Sequence, residues 1–161
     1  MPPSWSTAAI GPIGHSVGFL LSQTGAATAR LFKAALGEVA LEPRHFALMR
    51  AIEAAENRSQ QLLAERLQIP PSSMVALLDQ LEERGIVARH LDTSDRRVRV
   101  VELTEAGREV LAQAMHLAMA TERRICHSFD FDQRELLIAM LQTVAANLGV
   151  AQGVHPEHPS D

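Results

Sequence analysis

Arginines crowd into one short stretch near the middle of this 161-residue chain. Positions 84 to 99 hold five arginines and only two acidic residues, namely Arg84, Arg89, Arg96, Arg97 and Arg99 against Asp92 and Asp95. A guanidinium group binds phosphate through paired N–H donors, so this local excess of positive charge is typical of a nucleic-acid contact. A solvated charged face is the other interpretation of the same stretch. The net charge of -4 argues against a protein that coats nucleic acid indiscriminately.

Residue types for other chemistry do not form a recognisable pattern. The sequence has no phosphate-cradling glycine loop, two-histidine helical metal motif, nucleophile elbow or cysteine paired with a base. His116, Glu122 and His127 are spaced by six and five positions, not by the three or four that place ligands on one helix face. We therefore expect no enzyme, no cofactor and no metal site.

The single cysteine, Cys126, cannot form an internal disulfide, which fits a reducing compartment. We expect it to pack as a small hydrophobe, with a thiol sensor as the alternative. No apolar run approaches the roughly 18 residues needed to span a bilayer, and residues 1–16 lack the basic start and long apolar stretch of a leader. These features predict a cytoplasmic protein without a membrane partner.

Helical spacing and end signals place four helices before the arginine cluster. A long helix is predicted over about 16–36, and Glu42-Pro43 starts a second. Ser59 is expected to cap a short third helix with Leu62, Leu63 and Leu67 facing inward, which Pro70-Pro71 ends. The fourth starts near Pro71 or Ser72 and runs to Arg84, with Gly85 as its left-handed cap. Two short helices joined by a tight turn predict a helix-turn-helix.

The arginine cluster itself falls in a predicted hairpin. Residues 86–90 and 98–103 are predicted strands, and residues 92–95 supply the turn between them. Thr104 is expected to cap a fifth helix, and Asp132 with Glu135 to form the capping box of a sixth that stops at Gly149. The predicted fold is mainly α with a small β-hairpin wing, a winged helix-turn-helix flanked by N- and C-terminal dimerisation helices.

Four sequence runs, in order and spacing, resemble the MarR family of bacterial regulators. They are LAERL at 63–67, LDQLEERGIV at 78–87, DRR at 95–97 and VELTEAG at 101–107. The resemblance covers roughly residues 15–148. It implies one domain over 14–148, and the proline-rich residues 1–13 and the polar residues 149–161 on either side are predicted to be a flexible arm and a loose tail. Within the domain it implies a winged helix over about 42–103 and dimerisation helices over about 14–37 and 104–148.

The family resemblance implies a ligand-responsive repressor that binds double-stranded DNA. The N-terminal half of the fourth helix would read the major groove through Ser72, Ser73, Val75 and Ala76, and Gln80 is a weaker candidate for phosphate contact. The alternative is that the two serines only satisfy the helix start. Many relatives have Arg where this chain has Ala76, so direct base readout is expected to be modest.

The resemblance also assigns roles to the hairpin tip. Arg97 would enter the minor groove, Arg96 and Arg99 would touch phosphates, and Asp95 would orient the loop. A solvated turn is the alternative for all four residues.

The flanking helices carry more apolar surface than a winged helix alone can cover, which predicts a homodimer on a near-palindromic operator. The resemblance further implies a small-molecule pocket, for which His15, Phe19, His45 and Met49 are candidates, although each is also suited to plain packing. Alternative functions are a winged-helix module that binds protein and not DNA, and a metal- or thiol-sensing regulator. Target genes and effector cannot be read from the sequence.

Overall fold

The computed structural model describes residues 16–55, 59–93 and 95–150, in which six helices and one antiparallel hairpin follow each other. The elements are α1 (Val17–Gly37), α2 (Pro43–Ala54), α3 (Gln60–Leu67), α4 (Pro71–Glu83), β1 (Val87–Leu91), β2 (Arg99–Leu103), α5 (Glu105–Ile125) and α6 (Phe131–Asn147). The predicted fold class, mainly α with a β-hairpin wing, is confirmed. The predicted arm, His15 and nearly all of the predicted tail lie outside the described residues.

Short polar side chains start α1, α3, α5 and α6, because the first backbone N–H groups of a helix have no partner within it. Ser59 Oγ accepts from Leu62 N at 3.2 Å, and Thr104 Oγ1 accepts from Gly107 N at 2.9 Å, as predicted. Gly85 has φ +67, the left-handed conformation that ends α4.

The start of α6 was predicted two residues too late. Asp130 and Gln133 form the capping box, and each side chain accepts from the backbone N–H of the other residue. The expected pair, Asp132 and Glu135, has the same spacing, so the pattern alone does not distinguish the two starts. Asp132 instead lies in the first turn, where its negative charge complements the helix dipole.

The core lies where α2, α3, α4, the hairpin and the first turns of α5 meet. Its fully buried side chains include Leu48, Met49, Ile52, Leu63, Met74, Leu78, Leu81, Val101 and Leu111. The prediction that Leu62 faces inward is wrong, because its side chain is 45% exposed. Neighbouring residues on a helix point about 100° apart, and packing against α2 and α4 selects the face of α3 that carries Leu63.

The wing is attached to the helix-turn-helix along both strands. Val87 pairs with Leu103 at its base and Leu91 with Arg99 near its tip. β2 packs against α2, α3 and α5, and Val100 forms a β-bridge with Ser59 at the start of α3. β1 packs against α4. Burial falls along the hairpin, from Val87 and Leu103 at its base to the exposed Leu91 and Arg99 near its tip.

The long helices α1 and α5 each contribute only one end to this core, through Leu36 and Leu111. α1 packs along α5, whereas α6 has no buried residue. Large apolar side chains on α6 are open to solvent, namely Phe131, Leu136, Met140 and Leu141. Across the ranges that the structure describes, no helix is both long enough and apolar enough to cross a membrane.

Candidate nucleic-acid interface

Helix α4 has one buried face and one open face. Met74, Leu77, Leu78 and Leu81 are buried, which turns Ser72, Val75 and Ala76 towards solvent and leaves Ser73 half-buried. The N-cap position is Pro70, which makes no side-chain capping hydrogen bond. Neither serine therefore occupies the capping position. The N-terminal half of α4 presents two hydroxyls and two small apolar groups beside the uncapped N–H groups of its first turn, an arrangement that attracts anions.

Gln80 has a partner inside the protein. Its Oε1 lies 2.9 Å from Nε2 of His45, on α2. The Nδ1 atom of His45 accepts from the backbone N–H of Glu42 at 3.2 Å, so the ring proton is on Nε2 and is donated to Gln80. The contact ties the start of α2 to the middle of α4, and the sequence contains no local signal of it because the two residues are 35 positions apart.

The wing tip holds one arginine in a defined position. Asp95 Oδ1 accepts from the backbone N–H of Arg97 at 3.0 Å and from its Nε at 3.2 Å. Asp95 N in turn donates to Asp92 Oδ1 at 2.9 Å. The Arg97 side chain is 91% exposed all the same. Its guanidinium is thus oriented at one edge while its remaining donors face solvent.

The five arginines of the cluster divide into two groups. Arg84 donates to the backbone oxygens of Ala40 and Val39 at 2.8 and 3.4 Å. Arg89 is bound by Glu82 and Asp79. Arg96, Arg97 and Arg99 are exposed. The charge available to a ligand is therefore concentrated on the wing.

The ion pairs of Arg89 shift the titration of both groups. Hydrogen bonds from Arg89 hold the pKa of the Glu82 carboxyl below its ordinary value, against a smaller opposing effect of burial. The same hydrogen bonds raise the pKa of Arg89. Both groups are charged near neutral pH.

A groove of about 860 Å³ lies between the tip of the wing and the helix-turn-helix. Gln61 and Gln68 of the α3 segment and Pro71 at the start of α4 line one side, and Arg97 and Arg99 line the other. Arg97 and Arg99 therefore face α3 and the start of α4 across a channel that is open to solvent, and the open-face residues Ser72, Val75 and Ala76 do not line it.

Of the three candidate pocket residues that the structure describes, His45 and Met49 lie one turn apart on α2, and Phe19 lies on α1. Met49 is fully buried in the core, and His45, one turn before it, is buried and bound to Gln80. Phe19 is 42% exposed on α1. It lies 13 residues before Phe32, roughly 20 Å along the helix axis, and it is Phe32 whose ring meets Phe46 of α2 at 5.6 Å. His15 is outside the described residues.

The other reactive side chains make local contacts. Cys126 is half-buried at the C-terminal end of α5, with its Sγ 4.0 Å from Glu122 Oε1. Glu122 is also paired with Arg134 of α6 at 2.9 Å. Over the described ranges, no group of three or more His, Cys, Asp or Glu side chains is placed to hold a metal ion.

Comparisons with known proteins agree with this architecture. A model of the MarR family matches residues 41–98. The transcriptional repressor CouR bound to a 23-mer DNA duplex is 33% identical with a TM-score of 0.73, over 84% of this chain and 96% of that chain. CouR from Rhodococcus jostii RHA1 bound to p-coumaroyl-CoA is 32% identical with a TM-score of 0.69, over 84% and 95%.

A more distant structure shares the fold alone. A mutant MarR from E. coli complexed with operator DNA is 22% identical with a TM-score of 0.68, over 80% of this chain and 92% of that chain. The identity to CouR over nearly its whole length, together with the helix-turn-helix, the basic wing and the flanking helices, shows that this chain belongs to the MarR family of transcriptional regulators.

Proposed function

We propose that this protein is a ligand-responsive repressor that binds a near-palindromic operator as a homodimer. The observation that carries the proposal is the wing tip, where Asp95 orients a 91% exposed Arg97 across a groove from α3 and the start of α4. CouR, with the same fold, binds a DNA duplex, which supports the assignment.

Helix α4 and the wing tip contact different grooves of the DNA. α4 enters the major groove, where Ser72 and Ser73 bond base edges or phosphates and Val75 and Ala76 contact thymine methyl groups. Arg97 enters the adjacent minor groove, where a narrow A·T-rich segment has the most negative potential. Arg96 and Arg99 contact phosphates. Because Ala76 carries no guanidinium, sequence preference rests on groove shape and apolar contacts more than on guanine recognition.

A second copy of the chain covers the apolar long helices. The exposed Phe131, Leu136, Met140 and Leu141 of α6 form an apolar surface that monomeric proteins rarely leave open. Two-fold symmetry then places the two α4 helices in successive major grooves, about 34 to 36 Å apart.

Replacing Met140 with glutamate tests the dimer. Met140 is 59% exposed in one protomer. Because of the two-fold symmetry, each protomer of the variant would bring one new charge into the interface. We expect the dimer dissociation constant to rise about 100-fold, because removing each apolar side chain from the interface costs roughly 1.5 kcal/mol or more. Analytical ultracentrifugation over a concentration series measures it. Gln142→Glu, which adds the same charge at another exposed position of α6, is the control; equal effects of the two would exclude the apolar face as the interface.

The effector is a small molecule that shifts the dimer towards a spacing of α4 helices that fits DNA poorly. His15, Phe19, His45 and Met49 stay the proposed lining, with Phe19 as the accessible member and His45 as the link to α4 through Gln80. Because CouR binds p-coumaroyl-CoA, aromatic acyl-CoA thioesters are the first compounds to test for release of the protein from DNA.

A gel-shift assay with the DNA upstream of the protein's own gene tests the function directly. We expect a retarded band at low salt that weakens steeply as salt rises. Absence of retardation by the wild type would contradict the repressor assignment and favour a module that binds protein. Genomic fragments selected by the protein then define the operator.

A further inference from the structure

Arg89 joins the recognition helix to the wing. It lies on β1, and its side chain is only 16% exposed. Its Nε donates to Glu82 Oε2 at 2.9 Å, its backbone N–H donates to Glu82 Oε1 at 3.1 Å, and a second side-chain nitrogen bonds both Glu82 and Asp79, the latter at 2.6 Å. Both carboxylates belong to α4. One planar guanidinium therefore bridges two residues of that helix from the neighbouring strand.

We propose that Arg89 is a positioning residue for DNA binding, which fixes the angle between α4 and the wing so that both reach their grooves at once. The inference rests on the proposed function and adds to it a residue that need not touch DNA. The sequence placed Arg89 in the basic cluster, where it is indistinguishable from a phosphate contact.

The connection between α4 and β1 needs the contacts that Arg89 makes with Glu82 and Asp79 to hold it in place. The chain turns through Gly85, whose left-handed φ of +67 sets the corner, and a two-stranded hairpin has little stability by itself. β2 is anchored by three helices, whereas β1 packs against α4. The rigid fork of Arg89 bonds two carboxylates at fixed angles, which a single ammonium group cannot do. Without the Arg89 guanidinium, β1 is free to move relative to α4.

The ion pair between Arg89 and Glu82 persists at physiological pH. Because the pKa of Glu82 is lowered in the folded protein, the stabilisation is present above the ordinary carboxyl pKa and disappears as acid protonates Glu82. Asp79 and Arg99 are the other charged groups that act on this pair. The contact between Arg89 and Glu82 therefore does not change with pH in the neutral range.

The salt dependence of operator affinity distinguishes a positioning residue from a residue that contacts phosphate. For Arg89→Met we expect operator affinity to fall about 10- to 100-fold, because the two linked DNA-binding elements are no longer held in mutual alignment, while the slope of log K against log salt is unchanged. For Arg99→Met we expect the slope to decrease by about 0.9 for each phosphate that the protein no longer neutralises. Hydrogen exchange of the β1 and β2 amides is expected to accelerate in Arg89→Met, with α5 unaffected.

Two further variants keep the test decisive if Arg89→Met folds poorly. Arg89→Lys should recover part of the affinity, since one ammonium still pairs with one carboxylate. Glu82→Gln should weaken binding, and combining it with Arg89→Lys should cost less than the sum of the two single changes because the residues act as a unit.

The outcomes distinguish this inference from the function on which it rests. A wild type that does not bind DNA overturns both. If the wild type binds and Arg97→Ala binds weakly, unchanged affinity of folded Arg89 variants overturns the positioning role alone. A reduced salt slope for Arg89→Met also overturns it, because Arg89 would then contact phosphate.

Discussion

Replacing Arg97 with alanine is expected to lower operator affinity by about 100-fold for the dimer, which carries two copies of the wing. Removing one arginine that binds DNA typically costs about 1 to 3 kcal/mol, and the cost is felt at both half-sites. The structure holds this guanidinium at the wing tip through Asp95 while leaving it 91% exposed. The substitution therefore removes a DNA contact and little internal packing.

The Arg97→Ala effect is measured by fluorescence anisotropy on a labelled operator at fixed salt. Arg123→Ala is the matched control, because Arg123 is exposed near the far end of α5, roughly 27 Å along its axis from Glu105. Sizing of both variants shows whether the dimer is intact. An Arg97→Ala protein with wild-type affinity would remove Arg97 from the interface.

A second large effect is expected from Gly107→Ala. A Cβ atom at Gly107 would lie 2.0 Å from the backbone oxygen of Ile86 and 3.0 Å from its carbonyl carbon. The same oxygen accepts from Thr104 N at 3.0 Å, so it cannot move without breaking the junction between the hairpin and α5. We expect the free energy of unfolding to fall by about 3 kcal/mol, at the upper end of what overpacking costs.

Denaturant unfolding at a fixed protein concentration measures the Gly107→Ala effect. Gly37→Ala is the control, because nothing lies within 4 Å of a Cβ added at the last residue of α1. That substitution should be neutral or stabilise by a few tenths of a kcal/mol. If both alanine variants unfold at the wild-type midpoint, α5 docks on Ile86 less closely than the structure shows.

Local chemistry accounts for the elements that the sequence predicted well. Ser59 and Thr104 cap α3 and α5 through hydrogen bonds to residues three positions on, and Gly85 ends α4 by its own backbone conformation. Where two positions satisfy the same local rule, packing decides between them. Leu62 and Leu63 were both predicted to face inward, and only Leu63 is buried. The capping box predicted at Asp132 and Glu135 is formed by Asp130 and Gln133, which have the same spacing.

By itself, the sequence determined the family, the order of helices and hairpin, and the position of the basic wing, because each depends on residues that are neighbours along the chain. Only the tertiary structure decided which arginines are available. Arg84, although exposed, donates to carbonyl groups 44 and 45 positions away, and Arg89 is paired with carboxylates on the preceding helix, which leaves the exposed Arg96, Arg97 and Arg99 of the wing. A guanidinium binds whichever acceptor folding brings within reach, and the sequence does not encode that distance locally.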